Sequence, residues 1–361
     1  SIPPAGKKVL VIRYGNLADD VTDEVHPEVA AAAGLAARVI GLDIAGVDIV
    51  AEDISRPLEE QRGAIVEVNA GPGLLMHLKP AKGKPRPVGQ AIVDSLFPQD
   101  DNGRIPIVGI AGTQGTALIA RLVAWLVQLS GKHVGLACRE GLFLDRRQVE
   151  KTDCANWAAG QRLLINRAVE AAVFENGAAM ILGEGLAYDR CQVGIVTDTL
   201  GAETLGHYDI HDAEQVFHVL RTQVDVVRPD GAAVLNAADP HVVRMAELCD
   251  GEVIFYGPGP ELPAIIEHRA KGGRALFLRD NRIMLATGAV EGPFLELPVF
   301  TARKDADEVD ADRSASLLAA VGAAVALDIP VEMIRVGIET FEQDRNGKRP
   351  ARSRPRRVAN Q

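Results

Sequence analysis

The sequence predicts an α/β protein organised around a strand, turn and helix over residues 105–128. Residues 105–110 form a short apolar run rich in β-branched side chains, which is typical of a strand buried on both faces. A glycine-rich turn follows over residues 109–115. The apolar residues after it recur with the helical period of about 3.6. Strands and helices then alternate to about residue 341, which indicates a doubly wound, mostly parallel sheet.

The glycine turn has the setting of a phosphate-binding loop but lacks its charged residue. In many α/β domains such a turn holds a phosphate through backbone N–H groups and the dipole of the following helix. A working P-loop ends in Gly-Lys-Ser/Thr, where the lysine meets the phosphates and the hydroxyl holds Mg²⁺. Here Gly115 is followed by Thr116 and Ala117. We therefore expect a tight β–α connection that carries no cation and is a poor site for hydrolysing ATP.

Composition and charge exclude some classes of partner. The net charge of −10 argues against general nucleic-acid binding, and no apolar run reaches the roughly 20 residues of a membrane span. The four cysteines are scattered and form no CxxC pair, which is typical of a reduced cytoplasm. We expect a cytoplasmic protein without membrane or nucleic-acid partners. The chain begins at Ser1 without methionine, so we expect a piece of a longer protein.

Four segments are predicted along the chain. They are a first domain over residues 1–98, a polar linker over 99–103, a larger domain over 104–345 and a basic, disordered tail over 346–361. The first domain has the order β–α–β–β, with strands at 8–13, 45–51 and 63–70 and a helix at 27–42. The apolar positions of that helix, from Val29 to Val39 and Ile40, predict one buried face.

Polar residues interrupt two of the predicted strands in the first domain. Glu67 and Asn69 are two residues apart, so both side chains leave the same face of their strand. Asp48 interrupts an otherwise apolar strand. If these strands pair, three oxygen-bearing side chains face one point, which suits Mg²⁺. The spacing alone is equally consistent with ordinary solvent-facing acids.

The first domain resembles the end of an ATP-grasp domain in the cyanophycin synthetase family. The resemblance lies in GLDIAGVDIV and IVEVNAGPGLLMHLKPAKGKPRPV, residues 41–50 and 65–88. This family uses ATP to activate a carboxylate as an acyl phosphate and joins aspartate and arginine into a branched polypeptide. The resemblance implies that Asp48, Glu67 and Asn69 bind Mg²⁺. It also implies a catalytic, phosphate-side role for Arg13 and substrate contacts for Asn16 and His26.

The larger domain resembles the Mur-ligase-like domain of the same family, notably in RPDGAAVLNAADPHV at residues 228–242. The resemblance implies a nucleotide site made by Gly112, Thr113, Gly115, Thr116, Glu175, Asn236 and Asp239. The chemistry departs from the family. Thr116 stands at the P-loop lysine position, Thr204 at a metal-binding histidine and Leu220 at a supporting lysine. Because electrostatic positioning is nearly all of phosphoryl-transfer catalysis, these losses predict a degenerate ATP site.

This pattern is most similar to the second type of cyanophycin synthetase, which joins β-Asp-Arg dipeptides using the ATP-grasp site alone. The leading hypothesis is an ATP-dependent amide-forming ligase with a structural Mur-like domain, using ATP and Mg²⁺. Its partners would be the cyanophycin chain, with Asp and Arg or β-Asp-Arg, and we expect a homo-oligomer. One alternative is an inactive scaffold for an active synthetase, favoured by a loop after Asn16 that is shorter than in the family. A third is a true Mur-type ligase with an altered P-loop.

Overall fold

A computed structural model describes residues 18–97, 101–296 and 310–345. The chain divides into two compact units, the first ending at Arg104 and the second beginning at Ile105. The predicted strand at 8–13, the candidate site residues Arg13 and Asn16, and the predicted tail at 346–361 lie outside the described residues. No helix of the described part is long and apolar enough to cross a membrane.

The described residues of the first unit form one pair of strands and three α-helices. The strands are β1 Gly46–Val50 and β2 Ala64–Asn69, and the helices are α1 Pro27–Ile40, α2 Leu75–Leu78 and α3 Val88–Leu96. The strands pair antiparallel, with Asp48 opposite Glu67. Helix α1 ends at Gly41, whose φ of 82° provides the left-handed C-cap that glycine adopts without strain. The strands that carry the candidate metal ligands therefore do pair.

One expectation for the first unit is wrong. In α1 only Val29 is buried, while Val39 and Ile40 are 75% and 62% exposed. The apolar period identifies a face of the helix correctly, but burial also needs another element to pack against that face. The sequence pattern contains no information on that second requirement.

The second unit alternates strands and helices along its length. Its strands are β3 Ile107–Ala111, β4 Val134–Cys138, β5 Gly141–Leu144, β6 Arg147–Glu150, β7 Ala171–Asn176, β8 Cys191–Val196, β9 Val227–Asn236, β10 Glu252–Gly257, β11 Arg274–Arg279, β12 Arg282–Thr287 and β13 Val290–Glu296. Its helices are α4 Thr116–Leu129, α5 Trp157–Leu164, α6 Ala178–Gly183, α7 Ala213–Leu220, α8 Thr222–Asp225, α9 Pro240–Arg244, α10 Pro263–Ala270, α11 Ala311–Ala326 and α12 Val331–Arg345.

These strands form one sheet with the order β13-β12-β11-β10-β9-β8-β3-β7-β4-β5-β6. The strands from β11 to β4 in that order are all parallel, and an antiparallel extension of two strands lies at each edge. The predicted doubly wound, mostly parallel α/β architecture is therefore confirmed.

Helices cover both faces of the sheet, and alternate residues of each strand point to opposite sides. Val108 and Ile110 of β3 pack with α4, α11 and α12, whereas Ile107 and Ala111 pack with α5, α7 and α10 on the other face. The central strands are apolar on both sides, as a buried parallel sheet requires. In such sheets ligands bind at the carboxyl ends of the strands. Here that edge brings together β8, β3, β7 and β4.

Candidate functional site

The turn between β3 and α4 has the backbone shape of a phosphate-binding loop. Gly112 and Gly115 have φ values of 126° and 67°, which non-glycine residues rarely adopt. A β-carbon at Gly112 would lie 2.0 Å from Thr197 Oγ1, and one at Gly115 would lie 2.0 Å from Ser316 Oγ. Both positions therefore require glycine for conformation and for space. Helix α4 begins directly after the turn, at Thr116.

The carboxylate of Asp198 lies on the donors of this turn. The backbone N–H groups of Thr113 and Gln114 donate to Asp198 Oδ2 over 3.1 and 2.9 Å, and Thr113 Oγ1 donates to Oδ1 over 2.7 Å. Thr197 Oγ1 and the Leu200 N–H complete the set at 2.7 and 3.1 Å. Asp198 is 4% exposed. A side chain of the protein thus takes the hydrogen bonds that a P-loop offers to phosphate.

These hydrogen bonds keep the Asp198 side chain charged. Burial by itself raises the pKa of Asp198, but the bonds donated by Thr113, Gln114 and Thr197 outweigh it and hold the pKa below its ordinary value. The site therefore contains a buried anion whose charge is stabilised by backbone and hydroxyl dipoles.

A second internal charge lies beside the turn. Glu175, at the end of β7, accepts hydrogen bonds from the Thr116 hydroxyl at 2.7 Å and from Arg139 Nε at 2.6 Å. Its other oxygen accepts from the Arg139 N–H at 2.8 Å, and Arg139 Nη2 donates to Thr116 Oγ1 at 2.9 Å. The turn itself carries no cation, as Thr116 predicts, but Arg139 reaches Thr116 from the end of β4. Glu175, predicted as part of the nucleotide site, faces a guanidinium.

Asn236 and Asp239, predicted on the nucleotide side, serve the local backbone. Asn236 Nδ2 donates to the Thr197 carbonyl at 2.8 Å. Asp239 Oδ1 caps α9 by accepting from His241 N at 2.8 Å, and its Oδ2 accepts from Thr199 N at 2.8 Å. These contacts fix the loop that carries Asp198 to the loop after β9. Whether either residue contacts a nucleotide stays a prediction.

The space above the turn is small because the start of α11 lies against it. Ser316 Oγ donates to the Asp312 carbonyl at 2.8 Å, next to Gly115. The remaining cavity is about 20 Å³, enough for about one water molecule. Its polar lining comes from Gln114, Thr197, Asn236, Tyr256, Asp312 and Ser316.

Leu220 and Thr204, which replace a lysine and a histidine of the family, have ordinary structural roles. Leu220 is 1% exposed in the core beneath the sheet. Thr204 Oγ1 donates to the Gly201 carbonyl at 2.8 Å. Neither side chain supplies charge.

The first unit brings Asp48, Glu67 and Asn69 to one strand pair. Asp48 lies opposite Glu67, Gly46 lies opposite Asn69, and Asn69 Nδ2 is 3.5 Å from Asp48 Oδ2. Residues opposite each other in an antiparallel pair project to the same face. Both carboxylates are exposed, and no Lys or Arg of the described residues pairs with either. Two carboxylates and an amide oxygen are a hard-donor set that suits Mg²⁺.

The described residues contain no group of three or more His, Cys, Asp or Glu side chains that could hold a metal ion. His26, a predicted substrate residue, caps α1, its Nδ1 accepting from Glu28 N at 3.2 Å. Its contact with a substrate stays a prediction, as do the roles of Arg13 and Asn16 outside the described residues.

Sequence reasoning missed Asp198 and Arg139. Each follows the apolar residues of a strand almost at once, Asp198 after β8 and Arg139 after β4. A charged residue at the carboxyl end of a buried strand is the signal that could have found them. Their partners lie 84 and 36 residues away in the chain, so only the strand order reveals the contacts.

Strand order, glycine turn and two-sided helix packing define the second unit as a P-loop-like α/β domain. Its fold is that of the Mur ligases. A structure of UDP-N-acetylmuramoyl-L-alanyl-D-glutamate–2,6-diaminopimelate ligase aligns with a TM-score of 0.50 at 14% identity, covering 70% of this chain and 48% of that one. This likeness shows the fold alone.

In sequence the chain is similar to cyanophycin synthetases. A cyanophycin synthetase from Synechocystis sp. is 38% identical over 331 residues, which is 91% of this chain and 37% of the relative. Another from Crocosphaera subtropica is 38% identical over 340 residues, 92% of this chain and 38% of the relative. No protein-family model matches the chain. Along nearly its whole length the chain is therefore a homologue of cyanophycin synthetases, and it spans less than two fifths of their length.

Proposed function

We propose that this chain is part of an ATP-dependent amide-bond-forming ligase of the cyanophycin type. In this proposal the first unit is the end of an ATP-grasp domain and carries the reaction with ATP, while the second unit is structural. The observation that carries the proposal is the homology along 91% of the chain, combined with the internal partners that Asp198 and Glu175 have at the second unit's turn.

Electrostatics favour a cation in the first unit. Asp48 and Glu67 lie directly opposite each other on an exposed strand pair. Like charges directly opposite each other on a strand pair destabilise it. A divalent cation would offset that repulsion, with Asn69 supplying a third oxygen. When bound, Mg²⁺ would neutralise charge on the ATP phosphates.

The two buried carboxylates at the turn of the second unit already have partners. Asp198 occupies the donors of the turn, and Arg139 neutralises Glu175. An incoming phosphate would have to displace a buried carboxylate, and a metal would have to displace a guanidinium. This supports a structural role for the unit and argues against the alternative of a Mur-type ligase with an altered P-loop.

The proposed reaction needs a single kind of ATP site. A substrate carboxylate attacks the γ-phosphorus of ATP, ADP leaves, and an acyl phosphate forms. The substrate amine then attacks the acyl carbon and inorganic phosphate leaves. Because only one unit would use ATP, we favour the joining of β-Asp-Arg dipeptides, whose side-chain amide already exists, over the joining of free Asp and Arg. Arg13 would contact the phosphates, and Asn16 and His26 the growing polymer, in a cytoplasmic homo-oligomer.

The test compares two glutamates of the first unit in the intact gene product. Glu67→Gln should lower ADP release with β-Asp-Arg by roughly 100-fold, the effect of losing one electrostatic stabiliser of the transition state. Glu60→Gln is the matched control, because Glu60 is 60% exposed and, among the residues that the structure describes, pairs only with Arg56 at 3.7 Å. Equal rates for the two variants would reject the assignment. Absence of ADP release in the parent, together with co-purification of an active synthetase, would favour the scaffold alternative.

A further inference from the structure

We propose that the turn at residues 112–116 remains an oxyanion site whose resident ligand is the Asp198 carboxylate, and that removing this carboxylate converts the turn into a site for inorganic phosphate. This inference deepens the part of the proposed function that assigns no nucleotide to the second unit. It rests on the contacts of that unit and not on the chemistry proposed for the first.

The number and origin of the donors support a built anion site. Three backbone N–H groups, from Thr113, Gln114 and Leu200, and two hydroxyls, from Thr113 and Thr197, converge on the two oxygens of Asp198. An ordinary helix cap satisfies only one or two backbone donors. The donors come from two stretches separated by more than 80 residues of chain.

The Asp198 carboxylate is stabilised by the kinds of donor that proteins use to bind phosphate. No Lys or Arg in the described ranges forms an ion pair with Asp198, so the anion depends on aligned N–H dipoles and the start of the 14-residue helix α4. The same devices bind phosphate groups at glycine-rich turns. Asp198 is 4% exposed, and removing its carboxylate takes away the shared acceptor of these N–H groups and hydroxyls.

The shape of the turn does not depend on the carboxylate alone. Gly112 fits against Thr197, and Gly115 against Ser316 of α11, so packing holds both positive-φ glycines in place. The N–H groups of the turn should keep their direction when the side chain of Asp198 is shortened. Removing the carboxylate would leave its own volume free next to these N–H groups, whose distances to Asp198 Oδ2 are 3.1 and 2.9 Å in the parent.

The test is a titration of inorganic phosphate into full-length chains that all carry Glu67→Gln, which silences the proposed ATP site of the first unit. Asp198→Ala should bind phosphate at least tenfold more tightly than the Glu67→Gln parent, measured by calorimetry. Adding Thr113→Val should weaken that binding roughly tenfold, because a hydrogen bond to a charged group is lost. If Asp198→Ala does not fold, Asp198→Ser carries the same test.

Two results would overturn the inference. The first is a folded Asp198 variant that binds phosphate no better than its parent. The second is a parent that already binds phosphate in a manner sensitive to Thr113→Val. ADP release by chains with an intact Glu67 is measured separately, so the failure of either proposal is distinguishable from failure of the other.

Discussion

Replacing Arg139 with methionine tests whether the guanidinium is what makes a buried Glu175 tolerable. Arg139→Met keeps a long side chain but removes the 2.6 Å bond from Nε to Glu175 Oε1 and the 2.9 Å bond from Nη2 to Thr116. Glu175 is 3% exposed and would retain only the Thr116 hydroxyl and the backbone N–H of residue 139. A carboxylate would then lie in the interior without a counter-charge.

The expected loss follows from the burial of the two partners. A hydrogen bond to a charged group contributes about 1.5–3 kcal/mol, and breaking a fully buried pair costs about 3–5 kcal/mol. The Arg139 side chain is 52% exposed, so solvent screens part of the interaction. We therefore expect a loss of about 2 kcal/mol, or a fall in Tm of roughly 4–8 °C for a domain of this size.

The assay is thermal and urea unfolding of four chains: the parent, Arg139→Met, Glu175→Gln and the double variant. The double variant should be more stable than Arg139→Met, because no unpaired charge remains. Arg162→Met is the matched control. Arg162 is 50% exposed and lies 2.7 Å from Glu150, but that glutamate is 36% exposed, so the change should cost less than about 1 kcal/mol. Equal losses for Arg139→Met and Arg162→Met would refute the reasoning.

Three further results are expected. The low pKa of Asp198 in the folded chain means that its ionised form stabilises the native state. The difference in unfolding free energy between the parent and Asp198→Asn should therefore be largest above about pH 4 and should vanish as the pH falls through the folded-state pKa. Urea unfolding from pH 7 to 3 measures this difference. In Arg139→Met, Mg²⁺ or Mn²⁺ should raise Tm, since Glu175 lacks a cation, whereas the parent should not respond in its second unit. Trp125→Phe should cost about 1 kcal/mol, because the buried indole loses its 2.8 Å bond to the Gly337 carbonyl; an unchanged urea midpoint would contradict this.

Local patterns predicted the elements of the second unit well. The strand at β3, the glycine turn and the amphipathic α4 follow from residues adjacent in the chain, and the alternation of elements gave the doubly wound class. The strands β5, β6 and β13 were missed. β5 and β6 have four residues each, which carry too little periodicity to be distinguished from loops, and β13 contains Gly292 and Pro293, which are unusual inside a strand.

The contents of the site could not be predicted in the same way. The turn between Gly112 and Thr116 was visible in the sequence, but its occupant was not. Asp198 and Arg139 come to it because β8 and β7 flank β3 and β4 lies beyond β7, an order that no local window contains. In the first unit, the spacing of Glu67 and Asn69 gave a shared face, and the β1–β2 register added Asp48 to it. Periodicity thus located faces and turns, whereas long-range strand order determined which charges meet.

The internal carboxylate also makes the stability of the second unit independent of the ATP concentration. A protein that relies on ATP to order its glycine turn becomes more stable when the nucleotide is abundant and less stable when it is scarce. Here the ligand of the turn is the side chain of Asp198, which is part of the same chain, so its local concentration is constant. The second unit should therefore have the same rigidity and lifetime in cells with little ATP as in cells with abundant ATP.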